Sequence, residues 1–202
     1  VRDVLLIVEE HAKPGVTTRK LNTIAYDYIK KCNASPSFLG YGGFPGAICT
    51  SIDEEVVHGI PSDRILEEGT ILKVDAGAIV GGYHADAARS IAIGEIDSLR
   101  EKLMDVCKQS FFVGVDILKA GVRLGDLGYE IQSYVESYGF SIIKQLAGHG
   151  IGKNLHEDPD VPNYGIKGRG LRLEKNMVIA IEPMISAGGS RIKILEDDWT
   201  VV

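Results

Sequence analysis

The chain has 202 residues, 45% of them apolar and 25% charged, with a net charge of −6 and a pI near 5.4. That length supports one sizeable core or two small halves sharing one, and the composition is that of a globular protein rather than a disordered one. The acidic balance argues against a broad nucleic-acid-binding face, and no apolar run is long enough to span a membrane.

The first stretch, VRDVLLIVEEHAKPG, carries acids inside and just after a short apolar run and does not read as a signal peptide. It predicts a helix over 3–12 that stops at Lys13-Pro14-Gly15. Thr17 or Thr18 caps a second helix, with Leu21, Ile24, Ala25, Tyr28 and Ile29 at helical spacing and Asn33 at its end. Strands are expected at 47–52, 70–80 and 83–93, helices at 97–119 and 125–138, and strands again at 141–146, 177–185 and 191–195. The chain starts at Val1 and stops at Val202 inside WTVV, which reads as a strand beginning, so it is expected to be cut at both ends. Cys32, Cys49 and Cys107 show no metal-ligand spacing and suit a reducing cytoplasm.

The sequence resembles itself. Lys13-Pro-Gly-Val leads into a helix with Leu21 and Tyr28, and Lys119-Ala-Gly-Val, 106 residues later, leads into one with Leu127 and Tyr134. LEEGTILKVDA (66–76) aligns with LEKNMVIAIEP (173–183), which lays Asp75 on Glu182. Two similar halves, roughly 1–95 and 105–202, are therefore expected, each ending a strand in an acid.

KVDAGAIVGGYHADAARS (73–90) reads as a hairpin about Gly81-Gly82. A two-residue turn there sets Asp86 opposite Gly77. Asp75 then lies two residues along on the same face, with Leu72, Val74, Ala76, Ala78 and Val80 on the core side. Two carboxylates so placed are either solvated or need a cation to relieve their repulsion. Glu182 follows MVIAI, an apolar run that predicts a strand buried on both faces. A carboxylate there calls for a salt bridge or a metal. His58 (VVHGIP), His149 and His156 (GHGIGKNLHEDP) sit at the ends of apolar or glycine-rich runs, unlike His11 and His84.

FPGAICTSIDEEVVHGIP, VDAGAIVGGYHADAARS, GHGIGKNLHEDP and IEPM, in this order and spacing, resemble the type I methionine aminopeptidases over essentially the whole chain. The resemblance implies a single catalytic domain over 1–202 with an α/β pita-bread fold. Its two pseudo-symmetric halves would carry a mainly antiparallel, curved sheet flanked by helices, with a dinuclear metal centre between them. Asp75, Asp86, His149 and Glu182 match four of five metal ligands, the fifth being a glutamate beyond Val202. Oxygen donors with one imidazole suit two divalent ions of Mn, Fe or Co. The resemblance gives Glu182 a second role in proton transfer, His156 contact with the scissile carbonyl and His58 contact with the substrate's backbone nitrogen. It lines a methionine pocket with Tyr41, Phe44, Cys49, Leu155 and Trp199. Asp53 stands where relatives have Asn, which puts a nearby monovalent-cation site in doubt.

The implied substrate is the N-terminal Met of nascent polypeptides, handled by a cytoplasmic monomer with no DNA or membrane partner. Association with the ribosome suits that activity. A peptidase for Xaa-Pro bonds and a binding module that has lost catalysis are the competing readings. The first usually carries an extra N-terminal domain, and the second would have lost one or more ligands, whereas every ligand position this chain reaches is filled.

Overall fold

The apolar spacing of the N-terminal residues resolves, in a computed structural model describing residues 1–202, into two helices laid on a sheet. Helix α1 (Arg2–His11) buries Val4, Leu5 and Val8. Helix α2 (Thr18–Lys31) starts where the Thr17 side chain accepts a hydrogen bond from Lys20 N at 3.2 Å, and it buries Leu21, Ala25 and Ile29. Asn33, at φ 55°, ends it in the left-handed conformation that asparagine tolerates.

These helices belong to the first of two units, made of Val1–Ser98, Lys153–Leu155 and Lys193–Val202. Its sheet is antiparallel: β1 (Ser35–Pro36) and β2 (Ile48–Ile52) pair with β3 (Thr70–Val80), which also pairs with β4 (Tyr83–Ile93). Gly81 and Gly82 take φ values of 60° and 81°, as a tight hairpin turn requires. Gly77 faces Asp86 and Asp75 faces Ala88, the expected register. Leu72, Val74 and Ala76 turn to the core shared with Val8, Leu21 and Ile29, whereas Val80, at the turn, is 66% exposed. The last ten residues fold back as a hairpin in which Lys193 and Val202 exchange backbone hydrogen bonds of 2.7 and 2.8 Å.

The second unit comprises Leu99–Gly152 and His156–Ile192. Helix α3 runs over Ser98–Asp116 and α4 over Leu124–Ser137. Four short strands follow, β5 (Ser141–Ile142), β6 (Ala147–Gly150), β7 (Glu157–Pro162) and β8 (Ile185–Ser186), paired β5 with β8 and β6 with β7. Leu127, Ile131 and Val135 of α4 are fully buried against Val106, Ile142 and Val161.

Each unit anchors the start of one helix in the same way. In the first, Gly15 N donates to Leu66 O at 2.9 Å and Leu66 N to Val16 O at 2.8 Å. In the second, Gly121 N donates to Leu173 O and Leu173 N to Val122 O, both at 2.8 Å.

The second unit departs from expectation. Residues 177–181 do not form a strand buried on both faces. Ile179 and Ile181 are half-buried against the core, while Met177 and Val178 are 39% and 65% exposed. The segment is tied to β6 and the residue after it by His149 N to Ala180 O, Ala180 N to His149 O and Ile151 N to Val178 O, which leaves alternate side chains outward. The strands expected at 141–146 and 191–195 shrink to β5 and to one side of the terminal hairpin. Strands β6 and β7 were not foreseen, because AGHG has no β-branched or aromatic residue and EDPDVP has one, Val161, beside two prolines and three acids.

Candidate metal centre

In the first unit, strand alternation presents Asp75 and Asp86 on the face of the hairpin away from the helices. Both are partly buried. Cys49 of β2 lies directly across from Asp75 and is 4% exposed. Burial pushes its thiol well up, and the charges of Asp75 and Asp86 push it further, so both carboxylates bear on one spot beside Cys49. A thiol held neutral in this way is a poor nucleophile.

Three of the residues expected near the substrate meet one another. The Phe44 ring lies 5.1 Å from Trp199 and the His58 ring 6.4 Å from it, both edge-on. A Cβ on Gly42 would come within 3.2 Å of the Trp199 ring, so the loop before Phe44 passes close over the indole. Tyr41 is 44% exposed at the rim, and Leu155 is buried. His58 is held at φ 61°. A separate cavity of about 310 Å³, lined by Thr18, Thr50, Ile52, Glu55, Arg64 and neighbours, contains none of the predicted site residues.

In the second unit, β6 carries His149 between two glycines, and both are required. A Cβ on Gly148 would stand 2.2 Å from Ala180 O, and one on Gly150 2.2 Å from Asp158 O. The close approach brings His149 Nε2 to 3.1 Å from Glu182 Oε1. The other ring nitrogen, Nδ1, is 2.7 Å from Gly150 O. A carbonyl only accepts, so Nδ1 carries a hydrogen, and Nε2 meets the carboxylate either as the second donor of a protonated ring or with its lone pair. Glu182 Oε1 is buried and makes no hydrogen bond, although a third of its side chain is exposed. Two acceptors at this distance repel unless a proton or a cation serves both. The His156 ring lies 4.3 Å from that of His149.

One contributor had no clear signal in the sequence. Asn163, fully buried at the end of β7, donates from Nδ2 to Glu182 O at 2.6 Å and steadies the backbone behind the carboxylate. No three His, Cys, Asp or Glu side chains stand together as a metal-holding group. The donors are oxygen and imidazole, a set that fits Mn²⁺, Fe²⁺ or Co²⁺ better than a thiolate-bound ion.

The match to a metallopeptidase family makes this antiparallel α/β chain a metal-dependent hydrolase. The chain belongs to metallopeptidase family M24, whose description matches residues 1–202. A methionine aminopeptidase of Clostridium acetobutylicum is 56% identical over 203 residues, covering 100% of this chain and 81% of that protein. The crystal structure of a methionine aminopeptidase from Thermotoga maritima superposes with a TM-score of 0.97 at 42% identity, over 98% of this chain and 80% of that one. An X-Pro aminopeptidase from Thermotoga maritima shares the fold alone, at a TM-score of 0.74 and 22% identity over 90% of this chain and 49% of that one. The fold is the pita-bread fold.

Proposed function

We propose that this chain is a methionyl aminopeptidase, releasing the N-terminal methionine of nascent proteins and peptides with the help of two divalent metal ions. The observation that carries the reading is the His149–Glu182 contact, in which the imidazole Nε2 and a buried carboxylate oxygen face each other at 3.1 Å. Asp75, Asp86, His149 and Glu182 are the proposed ligands. Bound there, divalent ions would acidify water to a nucleophile and polarise the scissile carbonyl.

The protein's own groups do the rest. Glu182 takes up a proton and returns it to the leaving amine, with its backbone held by Asn163. His156 donates to the carbonyl oxygen as negative charge develops there. His58 meets the substrate's backbone nitrogen. Phe44, Trp199, Cys49, Leu155 and Tyr41 enclose an unbranched thioether, for which an apolar wall with soft sulfur–aromatic contacts is well suited. The enzyme works as a monomer in the cytoplasm on chains leaving the ribosome, with Mn, Fe or Co in the site.

The fold is shared with Xaa-Pro peptidases, so substrate choice is the test. Met-Ala-Ser and Ala-Pro-Ala are offered together with Mn²⁺ or Co²⁺. Release of methionine alone supports the proposal; release of alanine overturns it in favour of an Xaa-Pro peptidase.

A further inference from the structure

Lys73 is a partly buried cation for which this chemistry has no use. It lies on β3 two residues before Asp75, hence on the same face of the strand, opposite Ser51 of β2. Its side chain is only partly exposed there. An apolar residue of this size would fill the place without desolvating a charge.

The ammonium has a defined target. Its Nζ donates to Asp53 O at 2.6 Å. Asp53 sits at φ 47°, a left-handed conformation that turns its carbonyl inward. The same residue is bonded twice more to β3, Asp53 N to Ile71 O at 2.9 Å and Ile71 N to Asp53 Oδ1 at 2.9 Å. Asp53 is the first residue of a loop that ends at His58. Along it, Glu55 accepts from Ile52 N at 2.7 Å and from Arg64 Nη1 at 2.5 Å, and Val56 N donates to Val201 O at 2.6 Å. Beyond His58, Gly59 is pinned to β2 through Thr50 N to Gly59 O at 2.8 Å and Gly59 N to Ser51 Oγ at 3.0 Å. The direction of His58, itself at φ 61°, thus depends on where Asp53 is held.

We propose that Lys73 is a positioning residue: its ammonium draws the Asp53 carbonyl onto β3, fixing the 53–58 loop and with it the placement of His58 relative to Asp75. The inference rests on the role given to His58 above. It asks nothing of the metal ligands, since the ammonium is bonded to the loop's Asp53 O.

Trp199, the chain's single tryptophan, makes this measurable, because its ring lies 6.4 Å from that of His58. K73M and K73R are compared with the unaltered chain for kcat and KM on Met-Ala-Ser, for Mn²⁺ affinity by calorimetry, and for Trp199 emission without metal. The expected result for K73M is a kcat lower by roughly tenfold or more, the scale of a small displacement of a catalytic group. Its Mn²⁺ affinity stays within about twofold and its Trp199 emission shifts. K73R, keeping a charged donor, recovers part of the lost kcat. Unaltered kcat and emission in K73M overturn the inference, as does a loss of kcat that comes with an equal loss of Mn²⁺ affinity. If K73M does not fold, K73Q, one atom shorter and uncharged, is read by the same criteria. If the unaltered chain releases no methionine, the proposed function fails, and the emission of K73M still decides whether Lys73 holds the loop.

Discussion

His149 Nε2 lies 3.1 Å from Glu182 Oε1, and with Nδ1 committed to Gly150 O the contact has no hydrogen to share unless the ring is protonated. A metal bound by both removes the conflict. Replacing either group should therefore strike metal binding first. His149→Ala and Glu182→Gln are each expected to weaken Mn²⁺ binding by at least about a hundredfold, since loss of outer partners alone costs up to that much. Calorimetric titration of the two variants checks this.

The glycine before His149 is a second handle on the same contact. Gly148→Ala puts a methyl group where Ala180 O now stands 2.2 Å away, so the backbone of 177–182 must withdraw. The variant is expected to fold, because the core of α4 lies elsewhere, but to lose Mn²⁺ affinity in proportion to the displacement of Glu182. Circular dichroism together with metal titration separates the two effects.

Trp199 and Phe44 are assigned to the substrate rather than to the reacting bond. Trp199→Ala should raise KM for Met-Ala-Ser more than it lowers kcat, with an aromatic pair of this kind worth about 1 kcal/mol beyond its buried area. Steady-state kinetics over a range of peptide concentrations gives both constants.

Acid should loosen the hairpin that carries Trp199. Burial alone would raise the Asp197 carboxyl. Hydrogen bonds from the Thr200 hydroxyl and from the backbone of Trp199 and Thr200 outweigh it and hold the carboxyl below the usual range. A depressed carboxylate contributes its stability above its ordinary pKa and loses it as pH falls through the depressed one. Trp199 emission is expected to hold steady above about pH 4 and to change below it, with the change moved to higher pH or abolished in Asp197→Asn.

Cys49 and Cys32 should differ in reactivity. Cys49 is buried and held neutral, whereas Cys32 is exposed. Iodoacetamide at neutral pH is expected to label Cys32 and spare Cys49 until the chain is unfolded, as read by mass spectrometry of the peptides.

What the sequence made legible was local. Gly81-Gly82 and strict alternation determined the hairpin register, and with it the shared face of Asp75 and Asp86. Helix α2 could be read from Thr17, its apolar spacing and Asn33. The run at 177–181 was misjudged because five apolar residues look the same whether one face or both are covered, and only the partner strand decides. Strands β6 and β7 were invisible for the complementary reason: close backbone packing at Gly148 and Gly150 holds them, and Val161 is their one strand-forming side chain. Lys73 escaped notice because alternation assigns it to the polar face of β3, and nothing near it in sequence announces that Asp53 turns a carbonyl towards it. Asn163, likewise, acts on Glu182 from 19 residues away.

The most direct measurement is methionine release from Met-Ala-Ser before chelation, after exhaustive treatment with EDTA, and after restoring Mn²⁺ or Co²⁺. The account predicts release that stops on chelation and returns with the metal, with no alanine freed from Ala-Pro-Ala. Release that survives complete removal of divalent ions would contradict it.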